Sequence, residues 1–180
     1  MRTLLLLAFT TILLSCTANK EAINTNKDGY IAEGYDVTEY FNGNAIKGKT
    51  LYTAGHNGAW YKFASEDNRS KFEANPDMYE PQYGGYCAYA VGANGSKVEI
   101  NPESFLVDND KLFLFYDNAL ADTKQKWLNE NPEELKRKAN ENWPKIKEPA
   151  NAVAKAKREK ERELRIAARK AKKAKRKRKK

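Results

Sequence analysis

Of the 33 lysines and arginines in this chain of 180 residues, 17 lie between positions 147 and 180, accompanied there by 4 acidic residues. From about Ala150 the composition turns to Ala, Lys, Arg and Glu, and Val153, Leu164 and Ile166 are the large apolar side chains of that segment. Helix propensity is high there, but the segment holds too little apolar surface to join a core. It reads as a solvated, partly helical basic arm whose last residues repel one another. The formal net charge is +9 for the whole chain, so residues 1–146 carry −4. The part that folds is mildly acidic, and the basicity that would suggest a nucleic-acid binder belongs to the arm. Any core must come from upstream of the arm, where there is length for one compact domain.

The opposite end is equally distinct. Met1-Arg2-Thr3 precedes an apolar run at 4–14, interrupted by Thr10 and Thr11 and closed by Ser15 and Cys16. A positive start, a short apolar stretch and a small residue before the cut form the pattern of an export signal, too short to span a bilayer as a stable helix. The ending Leu13-Leu14-Ser15-Cys16 resembles the lipobox of bacterial lipoproteins, which implies that Cys16 is acylated and becomes the first residue of the mature chain. Acyl chains contribute about 0.8 kcal/mol per buried methylene and hold such a protein to its membrane. Thr17, standing where an aspartate is absent, favours the outer membrane by analogy. With Cys16 acylated, Cys87 is the one free thiol and no intramolecular disulfide can form.

Between these ends the chain divides into a polar tether over 16–29 and a domain over 30–146, after a signal at 1–15 and before the basic tail at 147–180. Residues 35–41 read as a short extended or helical element. The Asn57-Gly58 pair between LYTAGH and AWYKF predicts a β-hairpin. Ser65 is placed to cap a helix that runs through Phe72 and stops before Pro76. Extended segments are expected at 97–100, 104–107 and 111–116, the last two joined around Asn109-Asp110. Leu120, Trp127 and Leu128 predict one helix face. Leu135, Ala139 and Trp143 predict another, in a helix opened by Pro132 and closed by Pro144. The fold class is α+β, a small antiparallel sheet with packed helices.

The stretch PQYGGYCAYAV at 81–91 concentrates the side chains with chemical interest. Gly84 and Gly85 permit a tight turn, and Tyr83, Tyr86 and Tyr89 surround Cys87 with rings that carry polar tips. Two readings stand. The group lines a binding cleft formed by Tyr83, Gly84, Gly85, Tyr86, Cys87 and Tyr89, or it is core with a packed thiol. As metal ligands the chain offers His56, Cys87 and, less directly, Met78. That is too few for a closed zinc site but enough for copper or another soft ion held by two or three ligands. A thiol-dependent enzyme would need Cys87 as nucleophile and His56, the single histidine, as its base. No phosphate loop, Ser-His-Asp order or Cys-x-x-Cys pair accompanies them.

The run HNGAWYKFAS at 56–65, with Arg69, Phe72, Asn75-Pro76 and Tyr79 after it, resembles the YHS domain. Gly34-Tyr35-Asp36-Val37, the 82–89 stretch, Trp127 and Asn142-Trp143-Pro144 resemble its exported branch, and the likeness covers roughly residues 30–146. Some relatives bind soft cations through cysteines near the domain start and within Phe-Cys-Ser. Here those places read Gly34-Tyr35-Asp36-Val37 and Phe63-Ala64-Ser65, so that metal activity does not carry over. The resulting expectation is a non-catalytic, lipid-anchored protein of a bacterial cell envelope, facing the periplasm or the exterior. Its domain would bind a small ligand, a metal ion or a protein partner. The arm would touch anionic envelope surfaces, each basic residue contributing about 1 kcal/mol near them. A tethering scaffold is the other non-enzymatic reading. Nucleic acid is not an expected partner, because an exported chain rarely meets it and the arm lacks stacking aromatics.

Overall fold

The computed structural model describes residues 22–148, 157–158 and 160–165; the leader segment, Cys16 and most of the basic arm lie outside the described residues. No helix among the described residues is long and apolar enough to cross a membrane.

Turn chemistry sets the first hairpin. The positive φ angles that a tight two-residue turn demands fall on Asn57 (47°) and Gly58 (84°), and β1 (Lys49–His56) pairs antiparallel with β2 (Ala59–Phe63) across them. In β2, Ala59, Tyr61 and Phe63 are buried while Trp60 between them is exposed, the two-residue period of a half-buried strand. Ser65 then caps α1 (Glu66–Ala74), its hydroxyl accepting from the Asn68 amide at 3.2 Å. The helix stops at Asn75, and Pro76 opens a single further turn, α2 (Pro76–Tyr79), since its fixed φ and missing N–H suit a first helical position. After α3 (Ala88–Asn94), a second hairpin joins β3 (Asn101–Asp108) to β4 (Lys111–Phe115) through Asn109 and Asp110, both at positive φ. A minimal pair, β5 (Asp117–Asn118) and β6 (Ala121–Asp122), leads into α4 (Thr123–Asn129) and α5 (Pro132–Ile146). The architecture is α+β, with three separate two-stranded antiparallel sheets where one small sheet was expected.

The strand β4 divides the interior. Its alternate side chains leave on opposite faces, so Leu112 and Leu114 join a cluster with Ile31, Val37, Tyr40, Tyr61, Phe63 and Phe72. Phe113 and Phe115 enter a second cluster with Tyr83, Tyr86, Val91, Trp127, Leu135 and Ala139. A strand covered on both faces reads as a continuous apolar run, which LFLF is. In the second cluster α3 and α5 approach closely: a Cβ on Gly92 would stand 2.6 Å from the Leu135 carbonyl oxygen.

Five expectations are corrected. Residues 97–100 form no strand; the Val98 carbonyl accepts instead from the Cys87 amide, which takes it out of any ladder. Leu120 belongs to no helix face: the Asn118 side chain accepts from the amides of Leu120 and Ala121, turns the chain there and leaves Leu120 94% exposed. Leu128 is exposed as well, so Trp127, with the buried Thr123 at its start, anchors α4. Pro144 lies inside α5 rather than at its end, near enough to the terminus that the bond it forfeits is to the carbonyl of exposed Asn140, which water can satisfy. The domain also starts before Tyr30. Asn24 is buried, its amide donating to the Gly84 carbonyl at 2.8 Å and its side chain to the Gly85 carbonyl at 3.1 Å, so 24–29 packs on the domain instead of serving as tether.

Between Tyr35 and Val37 of the first cluster, Asp36 has no exposed surface. Its Oδ1 accepts from the Thr38 amide (2.9 Å) and hydroxyl (2.8 Å), and its Oδ2 from the Ala64 amide (2.7 Å) and Asn68 Nδ2 (2.8 Å). Asn68 Nδ2 also reaches Glu39 Oε1 at 2.7 Å, and that hydrogen bond is the main reason the Glu39 carboxyl lies below the usual carboxylate range despite opposing burial. No buried side-chain nitrogen or oxygen among the described residues lacks a partner. Removing the Asp36 carboxylate strands the Thr38 and Ala64 amides and loosens Asn68. Asp36→Ala is therefore expected to lower stability by about 3–5 kcal/mol. Urea denaturation checks this: the midpoint should fall with little change in slope, and a loss within about 1 kcal/mol would refute the role given to Asp36.

Candidate functional site

The stretch 81–91 folds largely inward. Tyr83, Gly85, Tyr86 and Cys87 are buried, Gly84 and Tyr89 partly so, and the rings of Tyr83 and Tyr86 pack against Trp143 with centroids 6.3 Å away. Gly84 is required by both conformation and space: φ is +59°, and a Cβ there would stand 2.4 Å from the Ala22 carbonyl oxygen. Burial pushes the Tyr83 phenol up to about 12, and its hydroxyl donates to Asn140 Oδ1 at 3.1 Å. Tyr89 looks away from this wall and donates to Glu130 Oε2 at 2.9 Å; its phenol is raised first by burial and then by that carboxylate.

Cys87 precedes α3 and has no exposed surface. Its Sγ lies 3.3 Å from Thr123 Oγ1, and the Thr123 hydroxyl donates to the Tyr116 carbonyl at 2.5 Å. A hydroxyl has one proton, so the thiol is the donor of the Cys87–Thr123 pair. Catalysis by Cys87 would need His56 as base, and the polar partners of His56 are Asp77 and Glu80.

His56 ends β1 directly before the Asn57-Gly58 turn, with its ring edge against Phe72 at a centroid separation of 5.9 Å and an interplanar angle of 86°. Its Nε2 lies 3.1 Å from Asp77 Oδ1 and 3.9 Å from Glu80 Oε2. Asn57 Nδ2 donates to the same Glu80 oxygen at 3.2 Å. Asp77 and Glu80 are three residues apart on the turn that Pro76 opens, which places both on one side of α2. Among the described residues this is the one set of three His, Cys, Asp or Glu side chains whose ligand atoms all fall within 4.8 Å of one another. Met78, between the two acids in sequence, is 38% exposed. The negative charge is felt beyond the cluster: the buried Tyr61 phenol is raised chiefly by desolvation, then by Glu80 and Asp77.

The same two carboxylates form one wall of an open cleft of about 300 Å³, continued by Gln82, Tyr83 and Gly84 and closed opposite by Asn140, Trp143 and Pro144 from α5. Of the residues that the sequence nominates for a ligand, Tyr83 and Gly84 border this cleft, while Tyr86 and Cys87 lie in the core behind it. Asp77, Glu80, Asn140 and Trp143 were not nominated for binding. The acids had a sequence signal, an Asp and a Glu spaced by three directly after a helix-opening proline; Asn140 and Trp143 had none, being brought in by α5.

No family model, curated protein or solved structure compared with the chain matches it.

The burial of Cys87 predicts its reactivity. In the protein carrying Cys16→Ser, where Cys87 is the remaining thiol, a thiol reagent should label Cys87 only when denaturant unfolds the domain. Stoichiometric labelling of the folded protein within seconds would contradict the packed state.

Proposed function

We propose that the chain is a lipid-anchored protein of a bacterial cell envelope, with a YHS-like domain that binds a small polar ligand without chemically transforming it. The observation that carries this reading is the cleft at 77–84 and the end of α5. There Asp77, Glu80, the hydrogen-bonded Tyr83–Asn140 pair and the half-buried Trp143 line a space suited to a small molecule. Pockets of this kind combine a few oriented polar groups with an aromatic surface, and a ligand needs both to be held in one pose. A fully buried, hydrogen-bonded thiol and a histidine engaged with carboxylates favour binding over thiol catalysis.

Anchoring rests on the leader at 1–15 and the lipobox-like Leu13-Leu14-Ser15-Cys16, and contact of the arm with anionic surfaces on the basic residues of 147–180. Cys16→Ser is expected to abolish incorporation of labelled fatty acid and to release the protein from washed membranes; membrane retention of an unacylated variant would refute the anchor.

For the cleft, native mass spectrometry of protein purified from its own envelope is expected to show a small-molecule adduct on the wild type. Trp143→Ala, which removes the aromatic wall, should reduce its occupancy at least tenfold. An adduct-free wild type, or an adduct indifferent to Trp143, would defeat the reading.

A further inference from the structure

We propose that His56, Asp77 and Glu80 form a site for a divalent first-row transition cation of borderline softness, with zinc(II) as its defining probe. This deepens the binding reading above by giving the acidic wall of the cleft an ion, and it rests on that reading only for the role of the bound ion, not for its binding.

Three observations carry it. First, the geometry is close to a coordination sphere. Ligands about 2.0–2.2 Å from a zinc ion stand about 3.3 Å from one another in a tetrahedron. His56 Nε2 lies 3.1 Å from Asp77 Oδ1 and 3.9 Å from Glu80 Oε2, and all three ligand atoms fall within 4.8 Å of one another, so closing the sphere takes side-chain shifts of up to about 1.5 Å, which the partly exposed Glu80 and the largely exposed Asp77 side chains can make.

Second, the charge asks for a cation. Asp77 and Glu80 converge without a lysine or arginine paired to either among the described residues, and the single group facing both is an imidazole. Two carboxylates offset a 2+ charge in full, and a neutral imidazole adds a nitrogen donor. One nitrogen and two oxygens suit zinc, manganese or iron(II) better than copper(I), which favours sulfur.

Third, two of the three ligands, His56 and Glu80, are backed. Asn57 Nδ2 holds Glu80 Oε2 at 3.2 Å, and Phe72 and Tyr61 pack beside the imidazole at ring separations of 5.9 and 6.4 Å, limiting its rotation. Three protein ligands leave at least one coordination position open. Because Asp77 and Glu80 also line the cleft, a ligand bearing an oxygen or nitrogen donor is placed to fill it.

The assignment departs from a copper site made by His56 and Cys87. The thiol is buried behind the cleft wall and donates to Thr123, whereas the atoms that accompany His56 are carboxylate oxygens.

The test is zinc titration calorimetry on the chelator-treated full chain carrying Cys16→Ser, with cobalt(II) absorption as a reporter of coordination. One zinc per chain is expected. His56→Gln and Asp77→Asn should each weaken binding tenfold or more while thermal unfolding shows the fold intact. Cys87→Ser should leave zinc affinity within twofold. No saturable zinc binding, equal affinity in His56→Gln, or loss of binding in Cys87→Ser would overturn the site. Zinc bound by a chain whose cleft adduct is missing would refute the binding reading alone. An adduct bound by a chain that takes no zinc would refute the ion alone.

Discussion

A carboxylate with no access to water holds together two pieces of chain that are far apart in sequence, its own turn and the 64–68 segment. Asp36 accepts four hydrogen bonds, tying the turn at Thr38, the end of β2 at Ala64 and the first turn of α1 at Asn68 to one point. A buried charge is tolerated only when its lone pairs are satisfied, and here two of the four hydrogen bonds come from the local turn at Thr38 while the other two require the 64–68 segment to dock in one arrangement. The penalty for any other packing is what makes the arrangement unique. The orientation of α1 against the β1–β2 hairpin follows from it, and with α1 the position of Phe72.

That position matters for the cleft. Phe72 lies under His56 and beside Tyr61, Phe63 and Tyr79, so the aromatic cluster supports both the end of β1 and the short α2. Pro76 restarts the chain as a helical turn right after α1, and the turn presents Asp77 and Glu80 to the histidine. The opposite wall comes from the second core cluster, in which Trp143 packs on Tyr83 and Tyr86. β4 serves both clusters by sending alternate side chains to each. The cleft therefore lies where two cores adjoin, a place where concave surface arises because neither core extends across it.

The contrast between Cys87 and His56 is one of environment. Cys87 is small, weakly polar and fully buried, and its hydrogen bond to Thr123 needs nothing from solvent. His56 stands at a turn, partly open, facing negative charge that the described chain does not otherwise neutralise. Solvent access in this fold accordingly falls not to the thiol that the sequence makes conspicuous but to a histidine and two ordinary acids.

Features governed by neighbouring residues were legible in the sequence itself. Both hairpins form at Asn57-Gly58 and Asn109-Asp110 because few residues tolerate positive φ. Ser65 caps α1 because its hydroxyl meets an amide three residues on, and the basic composition of 147–180 sets that segment apart whatever the rest does. Where propensity met tertiary demand, reading failed: Val98 gave its carbonyl to Cys87, Asn118 turned the chain at Leu120, and Asn24 drew 24–29 into the domain. Only the tertiary structure decided that Cys87 is sealed, that Trp143 walls a cleft, and that His56 meets Asp77 across 21 residues of chain. The physical reason is that burial and convergence are properties of packed surfaces. A one-dimensional pattern specifies which groups are present and how each turn bends, but the distance between side chains far apart along the chain is set by the cores that form between them.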